Sequence, residues 1–133
     1  MHYVEAAQRL LEAKERYQVG SEMWACATAT AFNMLLQEVC AEVAKPEWWN
    51  YEELKALSAR VVRAAPENLS ANEMRAFVLS GQLPAWEVGP RSAAELKEAA
   101  THFERAAALH PAPAMIAELT GNAALCRSQA EAM

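Results

Sequence analysis

The chain has 133 residues, a formal net charge of -5 and 53% hydrophobic side chains. This length suits one domain or a short stack of repeats that has a core of its own. The acidic balance argues against a nucleic-acid-binding protein, because such proteins present a basic surface. No stretch reaches the roughly 20 apolar residues of a membrane span, since Thr28, Thr30 and Asn33 interrupt the most apolar one, residues 23–36.

The residue composition favours helices and a reducing environment. Alanine occupies 30 positions, and glycine and proline together occupy ten. The three cysteines, Cys26, Cys40 and Cys126, are odd in number and lack C-x-x-C spacing, which fits neither a disulfide framework nor a zinc site. They are predicted to be buried thiols in an intracellular, reducing compartment, either the cytoplasm or an organelle matrix or stroma. The first residues resemble neither a signal peptide nor a transit peptide.

Start and stop signals divide the chain into six predicted helices. An Asn or Ser precedes a Glu by three residues at 50–53, 70–73 and 92–95, which is the pattern of a capping box. Glycine or proline follows the first five segments, at Gly20, Pro46, Pro66, Gly81 and Pro111. The predicted helices cover about 3–19, 21–44, 51–65, 70–81, 92–109 and 113–132.

Apolar periodicity supports helix rather than strand in these segments. The second helix is apolar nearly all round between Trp24 and Leu36, which predicts a helix covered on most sides at the centre of the molecule. Three other helices carry one apolar face each. Those faces are Leu54, Leu57, Val61, Val62 and Ala65 on the third; Leu96, Ala99, Ala100, Phe103, Ala106 and Ala107 on the fifth; and Ile116, Leu119, Ala123, Cys126, Ala130 and Met133 on the sixth.

The lengths of the connections predict how the helices pair. Very short turns join helices one and two, three and four, and five and six, so each pair folds back on itself. The chain is therefore predicted to be all-α, a single domain over 1–133 built from antiparallel hairpins at about 3–44, 51–81 and 92–132. The longer links between hairpins, 45–50 and 82–91, contain Trp48, Trp49 and Trp86.

A weak internal repeat runs through the hairpins. Its positions are Ala6, Leu10 and Ala13, then Leu54, Ser58 and Val61, then Ala99, Phe103 and Ala106. The third copy continues to Pro111, and this Ala-x3-Phe-x2-Ala-x4-Pro segment resembles the second helix of a tetratricopeptide repeat (TPR). The resemblance implies a TPR-like, short right-handed α-solenoid. The copies are 48 and 45 residues apart instead of the family's 34, so HEAT-type helical repeats fit the period equally well.

The resemblance also implies a surface for partners. In tetratricopeptide proteins the first helix of each repeat lines a groove that binds extended or helical peptides. The corresponding residues are Glu73 and Phe77 in the fourth helix and Met115, Glu118 and Asn122 in the sixth. This mixture of apolar and acidic side chains suits an amphipathic helix or a basic segment.

The linker tryptophans admit two interpretations. Trp48, Trp49 and Trp86 either fold under the hairpins and cover their ends, or they anchor a partner protein. Both interpretations can hold for different residues.

No combination of residues in the sequence indicates catalysis. There is no phosphate-binding glycine loop, no H-E-x-x-H and no G-x-S-x-G motif. His102 and His110 lie about 12 Å apart along one helix, too far to share a metal, and Glu98 with His102 is predicted to be an exposed i,i+4 pair. We therefore expect no catalytic residues, no cofactor and no metal.

The sequence favours a non-catalytic protein-interaction module or a small scaffold subunit of a larger complex. A helical-bundle enzyme or ligand carrier, with a pocket around Trp24, Cys26 and Phe32, is the alternative. Self-association, or a place inside an obligate assembly, is a third possibility and predicts an exposed apolar surface.

Overall fold

A computed structural model describes Glu12 and residues 15–37, 51–81 and 91–133. Within these residues the chain is all-α, with five helices and no strand. The helices are α1 (Glu22–Gln37), α2 (Tyr51–Ala64), α3 (Leu69–Ser80), α4 (Ala93–Leu109) and α5 (Pro113–Glu131). The predictions for the last four helices agree with these bounds to within one residue at each end.

The predicted first hairpin is only partly described. Residues 15–20 form turns, so the prediction that the first helix continues to residue 19 is wrong. Most of that helix, the predicted end of the second at 38–44 and both tryptophan-bearing links lie outside the described residues. Gly20 lies in the turn before α1 with a φ of +89°, a conformation that glycine adopts without strain.

The ends of α3 are set by the residues next to them, Asn68 and Gly81. The side chain of Asn68 accepts a hydrogen bond from the Ala71 backbone N–H (2.9 Å), so Asn68 is the N-cap and the prediction of Ser70 is wrong. At the other end Gly81 adopts a left-handed conformation, and its N–H donates to the Phe77 carbonyl.

The capping box predicted for α4 is confirmed. The Glu95 N–H donates to the Ser92 hydroxyl (3.0 Å), and the Ser92 N–H donates to the Glu95 carboxylate (3.1 Å). Helix α5 begins instead with Pro113, and the preceding Ala112 offers no side-chain cap. A capping box therefore starts α4, whereas a proline in the first turn starts α5.

Replacing the cap of α4 gives a modest and specific prediction. Ser92→Ala is expected to lower the free energy of unfolding by about 1 kcal/mol, because the Glu95 N–H loses its acceptor. Denaturant unfolding measures this loss. Ser128→Ala, at an exposed position on α5, is the matched control, and an equal loss in both variants would contradict the role of Ser92.

Two clusters of buried side chains share α3. Ala71, Met74 and Val78 pack with α1 and α2, whereas Ala76 and Leu79 pack with α4 and α5. The contacts of α4 with α5 are the most extensive in the described residues, followed by those of α3 with α4. Helix α1 is indeed covered on most sides, but α3 is the helix that joins the two cores.

The predicted apolar faces differ in how many of their residues are buried. All six predicted positions of α4 are buried, as are Leu54 and Val61 on α2 and Ala65 directly after it, whereas Leu57 and Val62 are half-buried. On α5, Leu119, Ala123, Cys126 and Ala130 are buried, but the predictions of burial for Ile116 and Met133 are wrong. Only α4 packs closely against α5, so the buried stripe of α5 is narrow.

Candidate functional site

A polar cluster joins α2, α3 and α4, and we call its residues Ser58, Asn72, Arg75, Glu98 and His102 the polar junction. All of them are buried except Glu98, whose carboxylate lies at the surface. The Arg75 guanidinium donates to the Lys55 carbonyl (2.8 Å) and the Ser58 hydroxyl (3.0 Å) on α2. Its Nε also donates to Glu98 Oε2 on α4 (2.9 Å). One α3 side chain thus ties together the helices on both sides of it.

His102 and Asn72 form the second half of the polar junction. The imidazole Nδ1 lies 2.8 Å from Asn72 Oδ1, and Nε2 lies 3.4 Å from Glu98 Oε2. The Asn72 amide nitrogen donates to the carbonyls of Pro66 (3.0 Å) and Asn68 (2.9 Å). His102 is therefore connected, through Asn72, to the turn between α2 and α3.

The ionisation of the polar junction follows from burial and neighbouring charge. Burial lowers the pKa of His102; the charge of Glu98 opposes this shift, while Arg105 and Arg75 reinforce it. Partial burial would raise the pKa of Glu98, but the hydrogen bond and charge of Arg75, helped by His102, lower it. The prediction of an exposed Glu98–His102 pair is wrong for His102, which is 5% exposed.

The polar junction could hardly be predicted from the sequence. Ser58 occupies a repeat position that predicts burial, but nothing nearby indicates a charged partner for its hydroxyl. Its hydrogen bond to Arg75 spans 17 residues, and that from Arg75 to Glu98 spans 23. Such pairings become visible only once the helices are packed.

The predicted partner surface comprises Glu73 and Phe77 on α3 with Met115, Glu118 and Asn122 on α5, and we call it the α3–α5 face. Burial raises the pKa of Glu73, and so does the charge of Glu118, whereas His110 lowers it. Glu73 and Glu118 are therefore close enough to interact electrostatically. Within the described residues neither carboxylate forms an ion pair with a lysine or arginine.

Phe77 has a structural role in addition to its place on the α3–α5 face. It is partly buried against both core clusters, and its ring meets Phe103 edge-on with centroids 5.4 Å apart. Met115 and Asn122 lie three residues before and four residues after Glu118, on the same side of α5, and are half-buried, whereas Glu118 is exposed. A change at Glu118 therefore disturbs packing less than a change at Phe77.

The other sequence-predicted residues give a mixed result. Trp48, Trp49 and Trp86 lie outside the described residues, as does Cys40. Cys126 is buried, as predicted, and forms no disulfide. Cys26 is only half-buried, and its sulfur accepts a hydrogen bond from the Asn68 amide (3.2 Å). Burial raises the pKa of both Cys26 and Cys126, which keeps them in the unreactive thiol form.

The residues proposed for a pocket on the second helix are mostly core residues. Trp24 and Phe32 are buried among side chains of α2 and α3, and Arg60 lies over the Trp24 ring at 5.4 Å. An open cleft of about 390 Å³ lies at the start of α1, bounded by Glu22 and residues 64–68. A second cleft of about 460 Å³ lies between the α2–α3 turn and the end of α4, next to Arg105 and Leu109.

Within the described ranges, no three histidine, cysteine or acidic side chains are grouped so that they can hold a metal ion. None of the five helices combines the length and the apolar character needed to cross a membrane.

Comparisons with known proteins leave the family undetermined. No protein-family model, curated protein or solved structure matches the chain. The likeness to tetratricopeptide repeats therefore rests on the residues quoted above.

Proposed function

We propose that the chain is a non-catalytic protein-interaction module, or a small scaffold subunit, whose α3–α5 face binds a partner protein. The observation that carries this proposal is the pairing of Glu73 with Glu118 beside Phe77. Glu73 is a half-buried carboxylate with Glu118 as an acidic neighbour, His110 as a nearby basic side chain, and no ion pair to a lysine or arginine among the described residues. The two carboxylates together are complementary to a positively charged group. The proposed partner is an amphipathic helix or a basic segment that brings an apolar side chain to Phe77.

The repeat positions support the solenoid part of the proposal. Leu54, Ser58 and Val61 on α2 are all fully buried, and so are their counterparts on α4. Short turns connect α2 with α3 and α4 with α5, and the helices of each pair are in contact. We propose that these two hairpins stack as TPR-like units of a short right-handed α-solenoid, since such units bury their apolar faces on one another.

The polar junction supports a non-catalytic role. Its titratable groups bond to each other, to Ser58 and Asn72 and to a backbone carbonyl of α2, and Asn72 bonds to carbonyls of the α2–α3 turn. This arrangement holds the helices together. The proposal includes a reducing intracellular compartment, in keeping with Cys26 and Cys126, which form no disulfide.

Affinity purification tests the proposed function and its alternative together. The tagged chain is recovered from its native cells, and mass spectrometry identifies stoichiometric proteins and retained small molecules. We expect a stoichiometric protein. A retained small molecule with no protein would favour the ligand carrier instead, with the cleft of about 390 Å³ beside α1 as its first candidate site.

Charge reversal on the α3–α5 face tests where the partner binds. Glu118→Lys is expected to weaken binding of the recovered partner about tenfold, because it replaces attraction of a basic group by repulsion. The dissociation constant is measured by calorimetry, and the thermal midpoint monitors folding.

Glu131→Lys is the matched control for this reversal. It makes the same charge change at an exposed position thirteen residues along α5, on a different side of the helix. Equal affinities for the two variants would place the binding surface elsewhere.

A further inference from the structure

His102 is a buried titratable side chain, and its hydrogen bonds determine which ring nitrogen carries the hydrogen when the ring is neutral. Both hydrogen bonds from the Asn72 amide nitrogen end on backbone carbonyls, so Asn72 Oδ1 is an acceptor. The nitrogen that lies 2.8 Å from this oxygen, His102 Nδ1, must therefore carry a hydrogen. The neutral ring is consequently the Nδ1–H tautomer, and its Nε2 has a free lone pair.

The free lone pair of His102 faces a carboxylate. Nε2 lies 3.4 Å from Glu98 Oε2, the same oxygen that accepts the Arg75 Nε–H. If Nε2 took up a proton, its N–H would point at this oxygen, which could accept a hydrogen bond from it. The proton would then compete with Arg75 for Glu98.

The surroundings of His102 oppose that second proton at neutral pH. The ring is almost closed to water, and desolvation disfavours its charged form. Arg75 faces it from α3, and Arg105 adds positive charge from α4 itself. Glu98 is the one negative group acting on the ring among these neighbours, and Arg75 already shares it.

We propose that His102 is an acid-sensitive latch between α4 and the α2–α3 turn. In its neutral form the Nδ1–H holds Asn72, and Asn72 holds the carbonyls of Pro66 and Asn68. Uptake of a proton on Nε2 leaves the Nδ1–H bond to Asn72 in place, but it adds a positive charge beside Arg75, away from water. The new N–H competes with the Arg75 Nε–H for Glu98 Oε2, so the contact of α3 with α4 through Arg75 is weakened. The polar junction therefore opens more readily in acid than at neutral pH.

The tautomer of His102 is the first test, and the chain contains its own reference. His110 Nδ1 accepts a hydrogen bond from the Ala112 N–H (3.0 Å), so neutral His110 is expected to be the opposite, Nε2–H tautomer. Long-range proton–nitrogen NMR spectra of the wild-type chain at pH 7 distinguish the two tautomers. An Nε2–H or doubly protonated His102 at that pH would overturn the proposal.

Stability as a function of pH is the second test. The unfolded chain takes up a proton at His102 near pH 6.5, whereas the folded chain resists it. The folding equilibrium constant is therefore expected to fall by up to about tenfold per pH unit below 6.5, in addition to other groups' effects. Glu73 affects the folding equilibrium in the opposite direction, because its pKa is raised in the folded chain and proton uptake there stabilises the folded form in acid. The contribution of Glu73 is the same in wild type and in variants at other positions, so it cancels when their pH dependences are compared.

His102→Gln is expected to abolish the part of the pH dependence that His102 causes. Thr101→Ala, next to it on α4 and outside the polar junction, should keep the wild-type slope. Equal slopes in wild type and His102→Gln between pH 7 and 5.5 would contradict the latch. If His102→Gln does not fold, the NMR titration of wild type decides, and a His102 midpoint at or above 6.5 overturns the proposal.

Discussion

Phe103→Ala is expected to lower the free energy of unfolding by about 3 to 5 kcal/mol, one of the two largest effects that we expect from a single substitution. Phe103 is fully buried in the core that α3, α4 and α5 share, and it meets Phe77 edge-on. Truncation removes these contacts and leaves a cavity that neighbouring helices fill only in part. Urea unfolding followed by circular dichroism measures the loss.

Leu109→Ala is the control for this prediction. It removes a large apolar side chain from the same helix at a position that is 42% exposed. We expect a change within about 1 kcal/mol, because little surface is withdrawn from water there. A cost near zero for Phe103→Ala would show that the apolar face of α4 is assigned in the wrong register.

Arg75→Ala is expected to cost about 2 to 3 kcal/mol, through lost hydrogen bonds rather than a lost apolar contact. The substitution leaves the Ser58 hydroxyl and the Lys55 carbonyl without the Arg75 donor and removes the positive charge beside Glu98. The Glu98 side chain is 45% exposed, so water relieves part of the penalty. Denaturant unfolding at pH 7 measures the change.

Two further variants identify the cause of the Arg75 effect. Arg75→Lys is expected to recover little, because an ammonium group cannot reproduce the three directed bonds of the guanidinium. Arg105→Ala removes an exposed arginine from α4 and should change stability by less than about 1 kcal/mol. A nearly complete recovery with lysine would indicate that charge alone matters at position 75.

The candidate surface was predictable only in outline. The repeat pattern placed Glu73 and Phe77 on one helix and Glu118 on another, and the packing brings the two carboxylates within electrostatic reach. Periodicity did not reveal that Phe77 also supports both cores, because that role depends on how α3 lies between its neighbours. Binding itself remains the proposal that the charge reversal tests.

Burial on α5 shows where periodic patterns fail. An apolar side chain at the right helical spacing is buried only if another helix lies on that side, and Ile116 and Met133 have none close enough among the described residues. The opposite error occurred at His102. This polar residue was predicted to be exposed, but α3 covers it. Helical spacing defines which residues share a face, but the neighbouring helices determine how much of that face is buried.

Local sequence was enough to predict the last four helices and their ends to within one residue. The signals at Ser92, Glu95 and Gly81 act within four residues, so they do not depend on tertiary contacts. The polar junction depends on pairs 17 to 30 residues apart, which meet only when α2, α3 and α4 pack together. Hydrogen bonds of this kind require desolvated partners in fixed positions, and tertiary packing alone provides both.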